Sequence, residues 1–213
     1  MNLYKTAKMV HEQAVKSGWW EKPVDDAVAF EMIHCELSEA TEEYRRGRKA
    51  LYYTCDEIEV GGQPCEPRDK FDCMNFGRED QCMHRGHKPE GWAVELIDVC
   101  IRLLDWIGSK RGKNIGMAFM VAPDAEPETE KGAMEIFGID PDMSLPELCF
   151  KTRGYLTDNY ELRDDPRGST SVAAIVCFIF GWIRAHEIDP EALLMEKHAY
   201  NGTREYRHGG KLC

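Results

Sequence analysis

The chain has 213 residues, 43% of them hydrophobic, which is enough to bury a sizeable core in one domain with insertions. Its formal net charge of -11 argues against a polyanionic duplex as ligand, because non-specific nucleic-acid affinity comes mainly from Lys and Arg neutralising phosphates. The opening residues lack the apolar stretch of a signal peptide, the longest apolar run, Val172 to Ile183, falls short of the roughly 20 residues that span a bilayer, and nine cysteines suit a reducing compartment; the expected location is cytoplasmic.

Hydrophobic periodicity is helical nearly throughout, so the expected fold class is all-α, a bundle of about five to six helices in a single domain, 1–213, with irregular insertions. The first helix runs from about Leu3 to Lys16 and stops at Ser17-Gly18. Trp19 and Trp20 follow in a loop. The second begins after Pro23 with Asp25 as N-cap and reaches about Gly47, with Phe30, Ile33, Leu37, Ala40 and Tyr44 as its apolar stripe. Residues 48–89 hold four cysteines, three prolines and little period of any kind, and read as a cysteine-rich insertion.

The third helix, about Gly91 to Ser109, is apolar on most sides apart from one line of charges. The stretch 112–143, with Pro123, Pro127 and Pro141, reads as an irregular connection. Ser144-Leu-Pro-Glu147 is a capping-box pattern opening a fourth helix to about Glu161. A fifth spans about Ser171 to His186, and Asp189-Pro190 opens a sixth that ends near Tyr200, followed by a basic tail, 203–213.

Helix positions three apart share a side, so Glu36 and Glu39 can converge, with Glu43 beside them. In the third helix Glu95, Asp98, Arg102 and Asp105 form a line on an otherwise apolar surface. A helix of that composition is normally buried, and its acids must then face solvent, basic partners or a cation, since an unpaired buried carboxylate is very costly. Four oxygen ligands with no His or Cys among them suit Mg2+ or Mn2+. The plainer alternative is two solvated faces with salt bridges to Arg45, Arg46 or Arg102. Glu31-Met-Ile-His34 is a single Glu-x-x-His step where a di-iron bundle needs two, so His34 is expected in the core or behind the ligands.

Near the C-terminus Lys197, Asn201 and Arg204 follow i, i+4, i+7 spacing, and between 197 and 211 four Lys or Arg face one acid, Glu205. This local reversal of charge suits a phosphate grip; a basic tail resting on the acidic surface is the other explanation. Trp19, Trp20 and Trp106 are candidates to stack on a base, against simple core packing. In the insertion Cys55, Cys65, Cys73 and Cys82, with His84 and His87, offer enough ligands for structural Zn2+, although only the Cys82-x-His84-x-x-His87 step is closely spaced.

HCELSEATEEYRRG around Glu36 and Glu39, ELIDVCIRLLDW around Glu95 and Asp98, and the ending EIDPEALLMEKHAYNGTREYRHGGK resemble, in that order, the MazG-like all-α nucleoside triphosphate pyrophosphohydrolases of bacteria and phages. The resemblance implies cleavage of a nucleoside triphosphate, often a deoxynucleotide, to the monophosphate and pyrophosphate, in a homodimer or homotetramer. It implies Glu36, Glu39, Glu95 and Asp98 as magnesium ligands, Glu39 as the group acting on the attacking water, and Lys197, Asn201 and Arg204 on the phosphates. The long connection between the two acidic pairs departs from the family pattern. A non-catalytic helical interaction module built on the same bundle is the alternative.

Overall fold

The computed structural model describes residues 1–55, 87–109, 124–162 and 166–210. In chain order these form α1 (Leu3–Lys16), α2 (Asp26–Arg45), β1 (Tyr52–Cys55), β2 (His87–Glu90), α3 (Trp92–Ser109), α4 (Pro127–Phe137), α5 (Leu145–Glu161), α6 (Pro166–Ala185), α7 (Pro190–Thr203) and the single turn α8 (Arg207–Gly210). The fold is an all-α bundle. Among the described residues no single helix is long and apolar enough to cross a membrane.

Helix α3 is the axis of the bundle, with α1, α2, α6 and α7 packed around it, α4 against α6, and α5 across α2 and α6. Its residues Val94, Leu96, Ile97, Val99, Cys100, Leu103, Leu104 and Ile107 are fully buried, as their all-round apolar pattern requires. Trp106 belongs to this core. It is edge-on to Phe30, and its indole N–H donates to Asp26 at 2.7 Å, which satisfies its one polar atom and removes it from the stacking candidates.

The helix ends follow their capping residues with two departures. Asp25 accepts from the Ala27 N–H, and Asp189 from those of Glu191 and Ala192. Ser144 occupies the N-cap of α5 but makes no side-chain capping bond, so the expected capping box is not formed; Pro146 in the first turn fixes the entry. Helix α6 begins at Pro166, five residues before the expected Ser171, again with proline opening the first turn.

The stretch 112–143 is not irregular where it is described, because it contains α4. Pro127 stands at its start, Glu128 and Glu130 lie in its first turn, and Gly138 ends it in the left-handed conformation. Pro127, one of the prolines that suggested a broken segment, is the first residue of a helix.

The second correction is a two-stranded antiparallel ladder at the base of the insertion, with Tyr52 opposite Glu90, Tyr53 opposite Pro89, Thr54 opposite Lys88 and Cys55 opposite His87. The ladder brings residues 55 and 87 side by side, so α2 and α3 are joined as if by a short hairpin stem. At its foot Gly91 has φ 113°, and a side chain there would meet the Ala50 carbonyl oxygen at 2.5 Å. The Ala93 N–H bonds to that same carbonyl, which ties the start of α3 to the stem.

Away from the stem, Glu130 of α4 is 1% exposed and held by the fork of Arg184, at 2.8 and 2.9 Å. Arg184→Met should therefore leave a buried carboxylate unpaired and cost about 3–5 kcal/mol. Thermal melting should show a Tm about 10 °C lower. A shift near zero would mean that Glu130 reaches water or another cation.

Candidate functional site

The packing of α2 on α3 brings three of the four expected acids together. One carboxylate oxygen each from Glu36, Glu39 and Glu95 lies within 4.8 Å of the others. Glu36 and Glu95 are buried, at 8% and 6% exposure, while Glu39 is exposed and forms the solvent side of the cluster. Asp98 is next to the cluster but is engaged elsewhere, with its Oδ2 2.9 Å from the ammonium of Lys197.

Each charge in the α3 line has a distinct partner. Glu95 faces the cluster, Asp98 faces Lys197 of α7, Arg102 donates through Nε to Glu36, and Asp105 accepts from the Trp20 indole and bonds the His11 ring at 2.8 Å. The plainer salt-bridge alternative is thus partly realised, since Arg102 does pair with Glu36. Arg45 and Arg46 instead hold Glu42, outside the cluster.

Burial pushes the Glu95 carboxyl up to about 8; neighbouring Asp98 adds to this, Lys197 opposes it, and Glu36 and Glu39 raise it further. Glu36 is also raised by burial, against the pull of Arg102. Burial would depress the Lys197 ammonium, but Asp98, Glu95 and Glu90 outweigh it and hold it above its ordinary value. Asp105 is raised by burial despite its bonds to His11 and Trp20.

Four carboxylates and two resident cations leave an excess of negative charge when every group is ionised. The donors are all oxygens, and such a set could hold Mg2+ or Mn2+ far better than a thiolate-seeking ion. The convergence comes from ordinary helix packing: i, i+3 spacing on α2 meets i, i+3 spacing on α3.

The two strands contribute a tie that no periodicity foretold. Alternate residues of a strand point to opposite faces, so Tyr52 and Tyr53 diverge. Tyr52 donates its hydroxyl to Glu43 of α2 at 2.8 Å, and Tyr53 donates to Glu196 of α7 at 3.1 Å. Burial, then the adjacent carboxylates, push both phenols well above the usual range. The stem therefore bridges the helix carrying Glu36 and Glu39 to the helix carrying Lys197.

On α7 the expected phosphate grip is only partly assembled. Lys197 is 4% exposed and committed to Asp98. Asn201, one turn on, has a buried side-chain oxygen without a hydrogen-bond partner among the described residues. Arg204 does not continue that face, because α7 ends at Thr203 and Arg204 is its C-cap with extended backbone. The tail then docks on the α1–α2 connection: the Arg207 guanidinium donates to the Gly18 carbonyl and to Glu21.

Trp20 has its indole nitrogen on Asp105 and its ring edge-on to His11, and Trp19 is half-buried beside it in sequence. His11 carried no sequence signal beyond a polar position in an amphipathic helix. Of the zinc candidates, Cys65, Cys73, Cys82 and His84 lie outside the described residues, and for Cys55 and His87 only their opposed places in the ladder are described.

Compared with known proteins, the chain matches no family model, no curated protein and no solved structure.

Proposed function

We propose that this protein is a magnesium-dependent nucleoside triphosphate pyrophosphohydrolase, releasing pyrophosphate from a substrate that is most naturally a deoxynucleotide. The observation that carries this reading is the convergence of Glu36, Glu39 and Glu95 from two packed helices, with Asp98 alongside and fewer cations than acids. The order of motifs resembling the MazG-like enzymes supplies the reaction class.

In this reading Glu36, Glu39, Glu95 and Asp98 hold magnesium, which when bound would neutralise phosphate charge and acidify a water. Glu39, the exposed member, orients the attacking water and takes its proton. Lys197 holds the Asp98 carboxylate in place. Asn201 and Arg204 are assigned to the phosphates on the strength of the motif. The protein acts in the cytoplasm as a homodimer or homotetramer.

The test is a panel of ribo- and deoxyribonucleoside triphosphates assayed for pyrophosphate release with Mg2+. Turnover of at least one is expected, and it should be lost in Glu39→Ala, whose helicity should be unchanged because among the described residues no hydrogen bond involves that side chain. No turnover of any nucleotide would favour the non-catalytic interaction module. Full turnover in Glu39→Ala would remove that residue from the chemistry.

A further inference from the structure

Arg102 lies on α3 one turn beyond Asp98 and so rises from the same face as the acids. Its guanidinium is bound by one nitrogen only: Nε donates to Glu36 Oε1, and among the described residues neither terminal nitrogen has a hydrogen bond. The pair is lopsided. The Arg102 side chain is 41% exposed and that of Glu36 10%, so the carboxylate lies inward and the guanidinium outward.

A buried carboxylate needs a counter-ion, and Arg102 supplies one to Glu36. The oxygen it uses belongs to one of the three carboxylates that converge within 4.8 Å. A divalent ion bound to the Glu36 carboxylate, at either oxygen, would lie close to the guanidinium, and two positive charges so near one another repel. A guanidinium set free there remains tethered to α3, on the open side of the cluster, with a fork of N–H donors that matches phosphate oxygens. Lys197 has no such freedom, being buried and bound to Asp98.

We propose that Arg102 is an exchangeable counter-ion: it neutralises Glu36 in the metal-free protein and, when a divalent ion binds that carboxylate, moves to a phosphate oxygen of the substrate. This rests on the metal-dependent reading above and adds to it a substrate-binding residue that also sets metal affinity.

The test uses the full chain stripped of metal, with Mn2+ alone as the first probe and inorganic tripolyphosphate, presented with saturating Mg2+, as the second. By calorimetry Arg102→Met should bind Mn2+ about tenfold more tightly than the parent and tripolyphosphate at least about tenfold more weakly, with Arg102→Lys between them. A purely structural arginine would weaken both. On the parent chain, the Arg102 Nε–H resonance, identified by its absence in Arg102→Lys, should shift when Mg2+ is added and shift again with tripolyphosphate, a measurement that does not depend on the methionine variant folding. Mn2+ binding that is unchanged or weaker in a folded Arg102→Met, or an Nε–H signal indifferent to saturating Mg2+, overturns the exchange and leaves the metal site standing. A parent chain that takes up no Mn2+ overturns both.

Discussion

Glu95→Gln should melt several degrees above the parent chain at pH 8 in EDTA, yet release pyrophosphate about 10³-fold more slowly when Mg2+ is present. The two signs come from the same burial. Without a cation the Glu95 carboxyl is pushed up to about 8, first by desolvation and next by Asp98, from an ordinary 4.5. The folded state therefore holds a proton that the unfolded state has released, and this contribution to stability is fully present below about 4.5 and lost as pH rises through about 8.

Glutamine keeps the shape of the protonated acid at every pH. The advantage of the variant in Tm should be small at pH 5 and grow towards pH 8, each kcal/mol of relieved strain raising Tm by roughly 2–4 °C for a chain of this size. With Mg2+ the ionised carboxylate is the useful form, and losing one ligand removes several kcal/mol of charge stabilisation, hence the estimated 10³-fold. Melting curves across pH in EDTA, beside initial rates in Mg2+, read the two halves independently. A variant less stable than the parent at pH 8 would show that Glu95 is paired or hydrated and is not strained by burial.

Lys197→Met should destabilise the metal-free protein by about 3–5 kcal/mol at neutral pH, a Tm loss on the order of 10 °C. The ammonium is 2.9 Å from Asp98, and its charge is also felt by Glu95 and Glu90, so the substitution leaves the acids with Arg102 as the cation on the cluster. The defect should shrink as the pH is lowered and the carboxyls protonate. It should also shrink in Lys197→Met/Asp98→Asn, where the stranded charge is gone, and the double-mutant cycle over these positions measures the coupling directly. A double variant no more stable than the single one would mean that Lys197 contributes packing by its stem and not charge. Glu95→Gln and Lys197→Met thus push the same cluster in opposite directions, one removing a negative charge and the other a positive one.

Most of the helical frame was legible because local signals suffice for it. The boundaries of α1 match the periodic stretch from Leu3 to Lys16, and the caps at Asp25 and Asp189 stand where a short polar side chain precedes an apolar stripe. Proline was the ambiguous mark. At Pro127 and Pro166 it opens a helix, and a residue with fixed φ and no N–H is equally at home in a first turn and in a loop. The strands were not legible, since four residues are too few to establish alternation and their partners lie across the insertion, with Tyr52 opposite Glu90.

By itself the sequence determined the all-α class, the apolar character of α3 and the sharing of one side by each pair of acids, for these follow from residue type and a period of 3.6. Which charge meets which was decided only by the tertiary structure. Packing places Glu36, Glu39 and Glu95 around one point, turns Asp98 to Lys197, and sets Arg102 on Glu36 and Asp105 against His11 and Trp20. Coulomb energy and desolvation depend on distances and on exclusion of water between groups far apart in the chain, and spacing along one helix contains neither.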